Sequence, residues 1–530
     1  MQQIINQNIS AIEKTILVVI DPRVDTPDRL AKGVTNSTAV LLLDPKRDSI
    51  IQITTALTQG NYHSLHLVAH GSPGCLHLGA TDLSSETITQ YQQQLLEWGI
   101  AEILVYGCQV AAKPEFLRQL HDLTVASIAA STEEVGQDNW NLEWQIGEVT
   151  SGLAFIEELR QEYQGTFIGF NPQVTFAVGN YPQGVAIADL DGDGDVDDLV
   201  VANRGDNTVS VLLGDGNGNF SPQTTFATGN SPFSVVIGDL DGDGDANDLA
   251  VSNLVVSDSN YTVSVLLGDG SGNFSPQTTF ATGNRPLSVV IGDLDGDGDA
   301  DDLAVATANG SGGYGSYSSN GISVLLGDGS GSFSTPTTFA AGTVPVVVAI
   351  GDLDGDGDAD DLAVSDFLND AVSVLLGDGS GGFSVPSTFT VVTNPISVAI
   401  GDLDEDGDAD DIAVRDSSAV SILLGDGSGG FSPQTTFALG FGAGSVAIGD
   451  LDGDGAADDL ASPNNNDDNV SILLGDDSGG FSPQTTFAAG NSPFFIAIGD
   501  LDGDGAADDL AVPNRDDNTI SVLIECFLVC

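Results

Sequence analysis

Asp189-Leu190-Asp191-Gly192-Asp193-Gly194-Asp195-Val196-Asp197-Asp198 recurs, with small changes, at Asp239, Asp293, Asp352, Asp402, Asp450 and Asp500, so the chain carries seven copies of one acidic loop. Successive copies start 50, 54, 59, 50, 48 and 50 residues apart. A period near fifty marks a repeat architecture, in which each unit is one supersecondary element that needs its neighbours to bury its face. Oxygen donors at alternate positions around a glycine turn are the ligands of a hard cation, and a flexible all-oxygen site prefers Ca²⁺ to Mg²⁺. Up to seven structural calcium ions are therefore expected.

Numbering each loop from its first Asp assigns the candidate ligands. Position 1 is Asp189, Asp239, Asp293, Asp352, Asp402, Asp450 and Asp500; position 3 is Asp191, Asp241, Asp295, Asp354, Asp404, Asp452 and Asp502. Position 5 is Asp193, Asp243, Asp297, Asp356, Asp406, Asp454 and Asp504, and position 6 is always Gly, where the chain turns sharply. Position 7 is Asp195, Asp245, Asp299, Asp358 and Asp408 but Ala456 and Ala506 in the last two copies, which fits a backbone carbonyl ligand. Position 9 is Asp197, Asn247, Asp301, Asp360, Asp410, Asp458 and Asp508; position 10 is Asp198, Asp248, Asp302, Asp361, Asp411, Asp459 and Asp509. Position 10 is Asp in every copy and precedes an apolar strand, which favours it as the closing ligand over position 9. An EF-hand is excluded, because position 12 is Val200 or Ala and never the bidentate Glu. Solvated acidic turns without metal are the bland alternative. They would stack carboxylates at a cost of several kcal/mol.

Working outward, each repeat reads as a Phe-x-Pro-Gln-x-Thr-Phe strand, a Gly-Asn-x-Pro turn, an apolar run, the acidic loop, Asp-Leu-Ala-Val, a variable loop and Val-Ser-Val-Leu-Leu-Gly-Asp-Gly. That is four short strands per unit, and radially repeated four-stranded units make a β-propeller. The first Phe-x-Pro-Gln strand, Phe170–Phe176, precedes the first acidic loop, and no such strand follows Ser521-Val522-Leu523. Seven complete blades therefore require the N-terminal strand of the repeat region to pair with the strand around Ile520–Leu523, a Velcro closure that leaves no orphan sheet edge.

The formal charge of −64 is accounted for largely by the loops: 40 of 77 acidic residues lie in their first ten positions. Such a surface argues against nucleic acid and anionic membrane as partners, and no stretch is long enough to span a bilayer. The short apolar run Ile16–Ile20, flanked by Lys14 and Asp21, does not read as a secretory signal. Millimolar extracellular calcium suits loose all-oxygen sites, which points to the cell surface or exterior by a signal-peptide-independent route, with the cytoplasm as the alternative. Cys75, Cys108, Cys526 and Cys530 form no disulfide framework.

Residues 14–165 have a different grammar. Thr15–Ile20, Ala39–Leu43, Ser64–Ala69, Ile103–Tyr106 and Val125–Ala129 read as buried strands, with helices over Asp48–Leu57, Ser85–Trp98 and Pro114–Leu120 between them and a hairpin over Asn139–Val149. This alternation predicts an α/β domain with a parallel sheet covered on both faces. Ligands of such sheets bind at the carboxyl ends of the strands. There, strand three runs into His70-Gly71 and strand four into Gly107-Cys108. A Cys needs a base or positive charge to become a thiolate nucleophile. His70 and Cys108 are thus candidate catalytic residues; the alternative makes Cys108 a buried strand-end residue and His70 a turn residue. His66 and Cys75 read as structural.

Two family resemblances follow from these motifs. Val68-Ala69-His70-Gly71-Ser72-Pro73-Gly74, Leu78-Gly79 and Tyr106-Gly107-Cys108 resemble the caspase-like cysteine peptidase clan, and residues 14–165 resemble a cyanobacterial domain of unknown function, DUF4347, related to that clan. The resemblance implies a His70–Cys108 dyad, although Gln109-Val110-Ala111 departs from the small or polar run usual after the Cys. Residues 168–525 resemble the FG-GAP/VCBS-type repeats of integrin α-chain propellers, with Gly-Asn-x-Pro replacing the literal Gly-Ala-Pro. That resemblance implies calcium in the loops and ligand binding on the opposite propeller face. The turns of that face carry Tyr181, Phe233, Arg285, Phe441 and Phe494, and its loops carry Arg204, Asp366–Asp370, Arg515 and the long Ala308–Asn320 segment with Tyr314 and Tyr317. Three functions remain open: a calcium-binding adhesion or interaction protein whose propeller takes a protein or glycan, a Cys-His peptidase with a propeller targeting domain, and a calcium-stabilised lectin.

Overall fold

The computed structural model describes residues 15–22, 24, 27–35, 38–44, 46–72, 74–78, 81–85, 87–107, 110–132, 135, 140–156, 159–160, 170, 173–254, 261–308 and 321–525. The chain divides into two compact units, one within residues 1–171 and one over residues 172–525.

In the first unit the apolar runs form a six-stranded sheet in the order Thr38–Leu42, Ile16–Ile20, Ser64–Val68, Glu102–Tyr106, Ser127–Ala130 and Trp144–Ile146. The first five strands are parallel and the sixth is an antiparallel edge. Because side chains alternate along a strand, Leu17 and Val19 enter one core while Val18 and Ile20 enter the other. The helices Ser49–Gln59 and Glu115–Thr124 cover the first face through Ile50, Ile53, Phe116, Leu117 and Leu120. Leu30, Trp140, Phe155 and Leu159 cover the second.

Three local outcomes differ from the sequence expectation. The stretch Asn139–Val149, expected as a hairpin, gives among the described residues one strand, Trp144–Ile146, which pairs with Ser127–Ala130. The single helix expected over Ser85–Trp98 is a 3₁₀ turn, Ile88–Tyr91, followed by a short α-helix, Gln92–Leu96. Its start is set by a local bond, Thr87 Oγ1 accepting the Ser84 N–H at 2.9 Å, and the β-branched run Thr87-Ile88-Thr89 is a poor α-helix former. A separate three-stranded antiparallel sheet, His70–Ser72, Cys75–Leu78 and Thr81–Ser84, fills the stretch after strand three. Its strands are too short to register in a strand–helix alternation.

The second unit is a seven-bladed β-propeller built from seven four-stranded antiparallel sheets. Blade 1 runs Pro182–Ala188, Asp198–Asn203, Thr208–Leu212 and Thr224–Ala227 from the innermost strand outward. Blades 2 to 6 follow the same order, with innermost strands Pro232–Gly238, Pro286–Gly292, Pro345–Gly351, Ser397–Gly401 and Ala447–Gly449. Blade 7 consists of Ala497–Gly499, Asp509–Asn514 and Thr519–Leu523, with Val174–Ala177 as its outer strand. That strand pairs Val174 with Val522 and Ala177 with Thr519. Each innermost strand packs on the next, and Ala497–Gly499 packs on Pro182–Ala188.

The repeated residues explain the repeated contacts. The Phe of six outer strands meets, edge to face, the Phe that precedes the next blade's outer strand, as in Phe226–Phe274 at 5.1 Å and Phe176–Phe220 at 5.0 Å between ring centres. Inside blade 1, buried Asn203 Nδ2 donates to Ser210 Oγ at 2.8 Å, and Ser210 Oγ donates to Gln223. In blade 7, Asn514 donates to Ser521 at 2.7 Å, and Ser521 donates to Gln173 of the N-terminal strand. Gln173 thus satisfies in blade 7 the buried polar group that Gln223 satisfies in blade 1.

Candidate metal centres

The acidic loops join the innermost strand of each blade to the second. In loop 1, Asp189 Oδ1 accepts the Gly192 N–H at 2.7 Å and Oδ2 accepts the Gly194 N–H at 3.0 Å. Asp191 and Asp193 each accept the N–H two residues on. These are Asx turns, which wrap the backbone around the carboxylates. The glycine at position 6 has φ between 97° and 102° in all seven loops, and a Cβ there would meet nothing within 4 Å. Conformation rather than space demands glycine at this position.

The turn gathers the carboxylates. Oxygen atoms of Asp189, Asp191 and Asp198 lie within 4.8 Å of one another, as do those of Asp239, Asp241 and Asp248 and those of Asp402, Asp404 and Asp411. In loops 3 and 4 the groups are Asp293, Asp295 and Asp297, and Asp352, Asp354 and Asp356. Positions 1 and 3 are thus joined by position 10 in loops 1, 2 and 5 and by position 5 in loops 3 and 4, while the position 7 aspartates Asp195, Asp245, Asp299, Asp358 and Asp408 are exposed.

Positions 9 and 10 carry a second role that a ligand pattern alone does not disclose. Asp198 Oδ2 accepts the Leu190 N–H and Oδ1 the Gly214 N–H, both at 2.8 Å. Asp197 accepts the Gly216 N–H at 2.7 Å. The pair thus latches the acidic loop onto the Gly214-Asp215-Gly216 turn that follows strand three. The position 10 bonds recur in all seven blades, with the Glu525 N–H replacing a glycine N–H at Asp509. The sequence signal was available: Leu-Gly-Asp-Gly after strand three keeps the same period as the loops. In blade 1 a Cβ on Gly214 would stand 2.1 Å from Asp197 Oδ2, so glycine there leaves room for the position 9 carboxylate, whereas blade 7 carries Glu525 at the equivalent place.

Crowding of carboxylates has an electrostatic cost. Burial, reinforced by neighbouring aspartates, raises Asp198, Asp248, Asp302, Asp361 and Asp411 to about 6, from 3.8. Asp459 and Asp509 rise to about 8 for the same reasons. Backbone N–H donors oppose the shift in each but do not cancel it.

The donor set fits a hard divalent cation: carboxylates at positions 1, 3, 5 and 10, with all ligands oxygen. At these positions one buried carboxylate oxygen, Asp402 Oδ1, has no hydrogen-bond partner among the described residues. In the other six loops the equivalent of Asp402 Oδ1 accepts the N–H of position 4, which in loop 5 is Glu405. An unpaired buried carboxylate oxygen is costly unless a cation faces it.

The other candidates are placed as follows. His70 begins a strand of the small sheet, opposite His77. Cys108, Tyr314 and Tyr317 lie outside the described residues. The strands preceding His70 and Cys108 are parallel neighbours, Val68 beside Tyr106. His66 is fully buried, its Nδ1 2.9 Å from Tyr106 Oη, and burial lowers it to about 4; it is a core residue. Within Asp366–Asp370, Asp366 accepts the Thr343 and Val344 N–H groups and Asp370 accepts that of Asn394, so both serve the fold. Phe441 is exposed. Tyr181, Arg204, Phe233, Phe494 and Arg515 are linked by ring and guanidinium contacts that also include Phe495, which the sequence reading had missed.

Comparison with known families matches this anatomy. Residues 17–167 match a domain of unknown function, DUF4347. Residues 196–251, 246–305, 301–363 and 410–460 match the FG-GAP-like repeat. The chain joins a DUF4347 domain to a propeller of FG-GAP-like repeats. No curated protein matches it. Among solved structures it is similar to an Agrocybe aegerita lectin that recognises non-reducing terminal N-acetylglucosamine, at 18% identity over 60% of this chain and 90% of that one, TM-score 0.40. It is also similar to the periplasmic gluconolactonase PpgL of Pseudomonas aeruginosa, at 15% identity over 59% and 86%, TM-score 0.42. A Desulfotomaculum acetoxidans protein of unknown function is similar at 14% identity over 58% and 86%, TM-score 0.43.

Proposed function

We propose that this protein is a calcium-stabilised interaction protein of the cell surface or exterior, whose propeller binds a protein or glycan on the face opposite the acidic loops. One observation carries the reading: the same convergence of carboxylates, with raised proton affinity, recurs around the ring. Positions 1, 3, 5 and 10 would hold each ion through carboxylates and position 7 through its carbonyl. The ion would supply the countercharge that lets them ionise together, binding innermost strand to second strand within each blade. The FG-GAP-like repeats support a ligand-binding or adhesive role, and we read the pairing of Val174–Ala177 with Thr519–Leu523 as a Velcro closure. Equilibrium dialysis tests the metal assignment. We expect calcium uptake approaching seven ions per chain, and uptake of none at millimolar calcium refutes it.

A second reading keeps the first unit as a caspase-like Cys-His peptidase. It draws on the parallel pairing of the strands that lead to His70 and Cys108. Proteolysis of candidate partners, and of the chain itself, by wild type but not by Cys108→Ala is the result that would establish it.

A further inference from the structure

Residues 172–525 contain four arginines and no lysine. Arg415 is fully buried. Of the other three, Arg204 and Arg515 meet on turns of blades 1 and 7, and Arg285, on the turn leading into blade 3, acts on Arg204 through its charge. The Arg204 guanidinium lies 5.8 Å from the centre of the Tyr181 ring, and that of Arg515 lies 5.2 Å from the same ring and 5.1 Å from Phe494. Arg515 also donates to Tyr181 Oη at 3.3 Å. Burial lowers Arg204 from its ordinary value, and the charges of Arg515 and Arg285 lower it further, so the three cations feel one another.

Three cations of one sign in an otherwise acidic propeller would ordinarily draw carboxylate partners. Among the described residues none of the three forms an ion pair. The neighbouring aspartates are engaged by neutral donors instead. Asp206 accepts both the N–H and the amide of Asn180, Asp517 does the same with Asn491, and Asp516 accepts from Ser492. Tyr181 and Arg285 occupy the same turn position with φ of 57° and 47°, a region that non-glycine residues rarely adopt. Tyr181 is held there by Asn518, which accepts its N–H at 2.9 Å.

We propose that this arginine–aromatic patch is the ligand site of the propeller and that its ligand is a carboxylated glycan, a chain of uronic-acid sugars. The proposal deepens the interaction reading above and rests on it for the choice of face. A guanidinium stacked on a ring keeps its N–H edge free for a bidentate carboxylate contact. Phe233 and Phe495, 5.5 Å apart between centres, add apolar area on which a sugar ring can lie. Beside them the innermost strands of blades 1 and 2 approach closely, since a Cβ on Gly184 would stand 2.8 Å from Phe233 O. Arg204 and Arg515 occupy equivalent turn positions of adjacent blades, and both guanidinium groups lie against the one Tyr181 ring. A stiff sugar chain with a carboxylate on each ring suits such a fixed pair of guanidinium groups better than an acidic peptide, whose side chains lose more freedom when fixed.

Calorimetric titration of the calcium-loaded full chain tests this with three probes: an oligouronate, the same oligosaccharide with its carboxyls reduced, and an oligoglutamate of equal charge. The oligouronate should bind and the other two should not. Arg515→Lys and Arg204→Gln should each weaken binding roughly ten-fold or more while leaving the calcium-loaded melting temperature unchanged. Binding of oligoglutamate as tight as oligouronate overturns the glycan assignment. Binding unaffected by either substitution, or no binding of any probe, overturns the site. A melting temperature that still responds to chelator in that same sample leaves the calcium reading standing.

Discussion

At the scale of single residues, the position 10 aspartates do more than attract a cation. Asp361 satisfies two backbone N–H groups, those of Leu353 and Gly377, at 2.8 and 2.7 Å. Asp361→Ala would leave both donors buried and unpaired, and should cost about 2–4 kcal/mol. The exposed Asp358, at position 7, should change stability by less than about 0.5 kcal/mol when replaced by Ala; Ala456 and Ala506 already stand there in loops 6 and 7. Urea unfolding of the two variants in calcium measures the contrast, and equal losses would refute the latch. Arg415 poses a different problem. Its guanidinium is buried between blades 5 and 6, donating to Gly442 O at 2.8 Å, Pro463 O at 2.7 Å and Asn464 Oδ1 at 3.0 Å. Burial lowers it to about 9. Arg415→Met removes a costly charge but strands these acceptors, and we expect a net loss of about 2–4 kcal/mol by the same measurement.

At the scale of elements, the loops make stability depend on pH in an unusual direction. Their buried carboxyls sit at about 6, and at about 8 in Asp459 and Asp509, against 3.8 when exposed. The native state therefore holds protons that the unfolded chain releases. That stabilisation is complete below about pH 4 and is lost as pH rises toward 8. The chelated protein should melt at a higher temperature at pH 5 than at pH 8. With calcium in place of the protons the order should reverse, and scanning calorimetry in EDTA and in calcium reads both. The loops themselves were legible because their ligands are neighbours in sequence: the 1, 3, 5 spacing and the glycine at position 6 contain the turn. The latch joins Asp197 and Asp198 to a turn beyond two strands, so only the shared period hinted at it. The small sheet at His70–Ser84 and the broken helix at Ile88–Leu96 escaped because their segments are a few residues long and held by tertiary bonds. The arginine patch escaped for the same reason, since Tyr181, Phe233, Phe494 and Arg515 meet only when the ring is built.

At the scale of the whole molecule, the chain's formal charge of −64 lies mostly in the propeller, where 57 acidic residues face four arginines and 40 of the carboxylates are gathered in seven loops. Removing the cations should expose that self-repulsion. We expect EDTA to lower the melting temperature by roughly 10 °C or more, since several kcal/mol of binding free energy are lost and each shifts a domain of this size by a few degrees. An unchanged melt refutes structural calcium. Removing residues up to Ala177 should have a comparable effect with calcium present, because it strips blade 7 of its outer strand and Ser521 of the Gln173 acceptor. The closing pair also bears on biosynthesis. Ser521 and Gln173 are 348 residues apart in the chain. At translation rates of about 5–20 residues per second, the first strand waits roughly 20–70 s for its partner to be made. During that interval Val174–Ala177 is a nascent strand without its mate, and six blades stand as an unfinished arc. A cell making this protein must shield that edge until the last blade leaves the ribosome.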